Sequence, residues 1–176
     1  MQVDFSHPAN QRVIEYLKNP YLFYDSSSKE ALQKYRKLRE RHLANIKAEQ
    51  SPEQIEQPYY DLGIAAKIVA RVWDELPYYL PEECRWVVYE HPVLVHPKSG
   101  IIFAWGDGAK VYAIRLPDRE RSHAIAHAAT TVLEHPDGIM QLDLEKIGPE
   151  WILGAWLYPE TRWCLTAYER IDGRFK

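Results

Sequence analysis

Apolar residues recur along this chain with two different periods, and the change falls near residue 80. Before it, apolar positions are spaced by three and four residues, which places them on one face of a helix. Val13, Ile14 and Leu17 form a small stripe after Pro8, a residue tolerated in a first helical turn, and Pro20 stops it. Leu32, Tyr35, Leu38, His42 and Ile46 predict a longer helix from about Ser28 to about Glu49. Ser27-Ser28-Lys29-Glu30 matches a capping box at its start. The polar stretch from Ser51 through Gln57 reads as a loop. Asp61 opens a third helix to about Leu76, with a wide stripe of Ala65, Ile68, Val69, Val72, Trp73 and Leu76, and Pro77 ends it.

After residue 80 the pattern shortens to strands. Trp86–Tyr89 and Val93–Val95 are rich in β-branched and aromatic residues, with His91-Pro92 breaking any single strand between them. Ile101–Trp105 is apolar at every position, which predicts a central strand covered on both faces. Gly106-Asp107-Gly108 then predicts a turn, and Val111–Leu116 an antiparallel return. Pro117-Asp118 opens a helix to about Leu133, His135–Gly138 is a turn, and Ile139–Leu144 a short strand. Trp151–Leu157 fits helix or strand equally. Thr161–Arg170 reads as a last strand, with Trp163, Leu165 and Ala167 on one face. The expectation is one globular α+β domain over 1–176, helical in 1–80 and strand-rich in 81–176. A mostly antiparallel sheet of about four to six strands in the C-terminal half would pack against the N-terminal helices and one helix near 118–133.

Composition narrows the function classes. A formal net charge of −3 gives no global argument for nucleic acid or an anionic membrane surface as a partner; nucleic acid is disfavoured and no membrane partner is expected. No stretch approaches the ~20 apolar residues that span a bilayer, and the first residues lack a secretory signal pattern. Cys84 and Cys164 are too far apart for a metal-type pair. A bacterial-type cytoplasmic protein with two free thiols is therefore expected. Twelve Tyr and six Trp are an excess that favours an interaction surface, because these rings pair apolar area with a polar tip. Trp151, Trp156, Tyr158 and Trp163 could form such a patch.

Candidate chemistry is sparse. His123 and His127 share a helix face at the spacing of a two-ligand metal site, though Ala124 stands where a metalloprotease motif has glutamate. His42 lies in an apolar stripe and is expected to be half-buried with a partner. Arg36, Lys37 and Arg41, beside Tyr35, could grip phosphates, but the same residues suit a solvated helix face. Arg115 interrupts an apolar strand, so it must pair or reach solvent at the strand end; a carboxylate such as Glu150 or Glu169 is the expected partner, and an anion or ligand the alternative. His91, His96 and Asp107 are further ligand-binding candidates. Gly106-Asp107-Gly108 lacks the spacing and the Lys-Ser/Thr ending of a phosphate loop, so no cofactor is implied.

No catalytic constellation emerges, and the leaning is against an enzyme. The preferred reading is a protein-binding or self-associating module, of immunity or adaptor type, whose partner is another protein or a second copy. The alternatives are a ligand- or metal-binding enzyme using an unrecognised His/Asp/Arg site, and a nucleic-acid contact through the basic helix 29–47.

Overall fold

The computed structural model describes residues 3–49, 56–58, 80, 82–107, 111–127, 129–135, 138–155 and 161–175. Four α-helices lie among them: α1 (Gln11–Lys18), α2 (Lys29–Glu49), α3 (Asp118–Ala126) and α4 (Thr161–Phe175). The strands are β1 (Asp25–Ser26), β2 (Glu56–Pro58), β3 (Arg85–Val88), β4 (His91–Val95), β5 (Ile102–Asp107), β6 (Val111–Arg115), β7 (Val132–Glu134), β8 (Met140–Asp143) and β9 (Trp151–Ala155). They build a six-stranded sheet, β2-β3-β4-β5-β6-β9, and a three-stranded one, β1-β8-β7, antiparallel throughout. The α+β class and the antiparallel sheet are as the sequence predicts. The helix expected over 61–76 lies outside the described residues, as do Trp156 and Tyr158.

The fully apolar run at Ile101–Trp105 does mark a central strand with two covered faces. One face meets α1, the α2 residues Leu32 and Tyr35, and the small sheet, in a core that includes Tyr16, Leu17, Trp105, Trp151 and Leu142. The other meets α3 and α4 through Ala124, Cys164, Ala167 and Ile171, over Phe103, Tyr112 and Ile114. Phe103 and Ala104 both belong to this second core although they are adjacent. The β4–β5 register slips there, from Leu94 opposite Ala104 to Val95 opposite Ile102, so Phe103 is the extra residue of a bulge. Gly154 admits the Trp163 ring, since a Cβ on it would lie 3.3 Å from that ring.

Several elements differ from expectation. Thr161–Arg170 is helix, not strand. Cys164, Ala167 and Ile171, buried at spacings of three and four, outweigh the two-residue alternation of Trp163, Leu165 and Ala167. The helix after Pro117 ends at Ala126, and Val132-Leu133 belongs to β7. Gly106 and Asp107 continue β5, pairing with Tyr112 and Val111, so the chain reverses beyond them. His91 and Pro92 sit inside β4. The proline is tolerated because the β4–β5 ladder begins only at Val93, leaving its missing N–H without a strand to face. Trp151–Ala155 is strand. Two short strands, β1 and β2, come from the first half.

Helix α2 has the expected length but a different buried face. Leu43 is buried and Arg39 is half-buried, whereas Leu38 is 47% exposed and His42 points outward. Its cap is half a box: the Ser28 hydroxyl accepts from the Ala31 N–H at 3.3 Å, and Ala31 stands where the reciprocal glutamate would be.

Candidate binding groove between the first two helices

Asn19 precedes Pro20, and the residue before a proline is barred from helical backbone. Asn19 accordingly takes φ −145° and ψ 87°, which ends α1. A single 3-10 turn, Pro20–Leu22, follows. It turns Phe23 into the core and leaves Leu22 55% exposed, more than any other large apolar side chain described. Leu22 stands in an open groove of about 560 Å³. Phe23 and Leu43 give it further apolar walls, and Arg12, Lys18, Glu40 and Lys146 its polar rim.

The walls are fixed by hydrogen bonds. Arg12 lies over the Phe23 ring at 5.0 Å, donates to the Lys146 carbonyl at 2.9 Å, and pairs with Glu15 at 3.1 Å. Lys146 donates to the Asp25 carboxylate at 2.7 Å and to the Phe23 carbonyl at 3.3 Å. From α2, Arg39 donates to the carbonyls of Lys18 (2.9 Å) and Leu17 (3.3 Å), satisfying the end of α1. Two acceptors remain. The Asn19 side-chain oxygen is buried with no hydrogen-bond partner. Glu40 is exposed and makes no ion pair with a described residue.

Behind α2, Tyr89 and Glu90 form the tip of the β3–β4 hairpin with φ +47° and +71°. Both central residues of such a tight turn need positive φ, a conformation side chains other than Gly, Asn and Asp take at a cost. The tip is held from α2: Arg39 donates to the Tyr89 carbonyl at 3.2 Å, and His42 meets the Glu90 carboxylate at 2.6 Å. His42 is thus half-exposed and paired, rather than part of an apolar stripe.

The other sequence candidates have structural employment or stand apart. Arg115 is buried, and Glu150 is its carboxylate partner at 2.8 Å. It also donates to the carbonyls of Ile102 and Ala9 and lies over Trp151 at 4.7 Å. His96 is buried beside Tyr168, where its ring nitrogen accepts from the Ser99 N–H at 3.3 Å. His91 lies at the opposite end of β4, on the other core, near Tyr16. Burial, and then the Arg39 charge, lower its pKa to about 4, so it is neutral at pH 7. These histidines do not converge. The Asp107 side chain lies outside the described residues.

Arg36 donates to the Tyr21 carbonyl at 2.9 Å, so of the basic trio only Lys37 and Arg41 face outward. His123 and His127 are both exposed. No group of three or more His, Cys, Asp or Glu among the described residues could hold a metal ion. Tyr21, Tyr24, Tyr35 and His135 form an aromatic cluster whose Tyr21 and Tyr35 rings stack at 5.0 Å. Burial pushes the Cys84 thiol up to about 12 and Cys164 up as well, so neither is a ready nucleophile.

The groove residues were not legible in the sequence. Leu22 follows no periodicity, and the only local signal was the Asn-Pro step. Among the described residues, no helix is long and apolar enough to cross a membrane. No family model, curated protein or solved structure matches this chain.

Proposed function

We propose that the protein is a binding module that takes a polypeptide segment of a partner in the groove between α1 and α2. The observation that carries this reading is Leu22, an exposed leucine on an apolar floor within a charged rim. An apolar centre with a polar rim is the usual anatomy of a protein–protein contact. The unspent polar group that reaches the surface, Glu40, is an acceptor. The segment that fits therefore carries a bulky apolar anchor next to a hydrogen-bond donor, arginine or lysine. Arg115, Cys84 and Cys164 are committed to structure or deprived of reactivity, which accords with a role in binding.

A displayed peptide library tests this when selected on the wild-type protein and on Leu22→Asp. Enrichment of apolar–basic pairs on the wild type alone supports the reading. Absence of enrichment, or enrichment that survives Leu22→Asp, overturns it.

A further inference from the structure

A second feature stands apart from the groove. His123 and His127 lie at the end of α3, both exposed, with ring centres 4.3 Å apart and planes at 42°. The His127 Nδ1 lies 2.8 Å from the His123 carbonyl oxygen. A carbonyl only accepts, so this nitrogen carries the proton, and Nε2 is left with a free lone pair. Fixing one ring nitrogen on a backbone carbonyl to present the other is how proteins orient metal-binding histidines. Neither ring shows any further hydrogen bond or ion pair, so the His123 nitrogens are not spent elsewhere. Two imidazoles bound side by side to one ion, each nitrogen at about 2.0–2.1 Å, place their ring centres on the order of 4–5 Å apart.

From this geometry we infer that His123 and His127 form a two-imidazole site for a borderline divalent cation, copper(II) ahead of zinc(II). The chain supplies two ligands, and the remaining positions take water or a donor from another molecule. Arg119, exposed one turn back on the same helix, is a charge opposing the ion; Arg121, nearer in sequence, pairs with Glu145 at 3.6 Å. Glu120 is engaged instead with Arg170 at 3.4 Å.

Calorimetric titration of the full chain with zinc chloride, and separately with copper chloride, tests the assignment. In a non-coordinating buffer near pH 7.5, uptake of about one ion per chain is expected. His123→Ala and His127→Ala should each weaken binding about tenfold or more, and Arg119→Gln should tighten it. Equal affinity in the double variant His123→Ala/His127→Ala, or no saturable uptake by the wild type, overturns it. Both histidines are exposed, so loss of binding with an unchanged melting temperature separates ligation from misfolding.

Discussion

Arg115 and Glu150 meet at 2.8 Å in the interior, and the same guanidinium holds the Ile102 and Ala9 carbonyls. One side chain thus joins β5, β6, the start of β9 and the N-terminal turn. Asn10 adds to the seam, donating to the Asp4 and Gly100 carbonyls and accepting from the Ile102 N–H. Removing one partner of a buried pair leaves the other charge uncompensated. Glu150→Gln and Arg115→Met should each cost about 3–5 kcal/mol in urea unfolding. Values near zero would mean that solvent reaches the pair.

Gly148 sharpens the same point. A Cβ there would come 2.6 Å from the Glu150 carboxylate. Gly148→Ala should destabilise the wild type clearly and the Glu150→Ala protein much less. Equal losses in both backgrounds would show that the carboxylate is not pinned.

His91 makes stability depend on pH. Its folded pKa of about 4 lies below the ordinary 6.5. The neutral form is therefore favoured by folding, its contribution is complete above about pH 6.5, and it is lost as pH falls through 4. The two values bound the loss at roughly 3 kcal/mol. Denaturant curves from pH 7 to 4 should show that decline in the wild type and a flatter one in His91→Gln. Parallel curves would contradict the assignment.

The strained hairpin tip sets two effects against each other. Glu90→Gly relieves positive φ but gives up the contact with His42. Relief is worth about 1 kcal/mol and a half-exposed pair at most about that. Glu90→Gly should accordingly be near neutral in the wild type and stabilising in His42→Ala. A double-mutant cycle with no coupling would show that His42 does not hold the turn.

Both thiols should resist a disulfide reagent in the native protein and react together on unfolding, because both are buried with raised pKa. Fast native labelling of Cys84 would reopen a nucleophilic role for it.

How much was legible in the sequence follows from what each signal measures. Ile101–Trp105 announced its place because a strand covered on both sides has no polar position. Arg115 announced itself because a charge inside an apolar strand must pair or reach solvent at the strand end, and Glu150 was one of the two carboxylates named. The α2 face was misread because the long side chain of Arg39 can lie inward and spend its guanidinium on carbonyls, which apolar periodicity does not register. Thr161–Arg170 was misread because a run of mixed aromatic, small and apolar residues satisfies both periods. The groove was invisible because Leu22 owes its exposure to the Asn19-Pro20 step and to packing from residues as distant as Lys146.

The most direct measurement is a titration of the ¹⁵N-labelled protein with N-acetyl-leucyl-arginine amide, the smallest probe that carries both anchor and donor. The account predicts amide shifts confined to residues around Lys18–Phe23 and Glu40–Leu43, lost in Leu22→Asp with the remaining spectrum intact. Shifts centred elsewhere, such as the pocket lined by Asp25, Glu134 and Gln141, or no shifts at saturating probe, would contradict it.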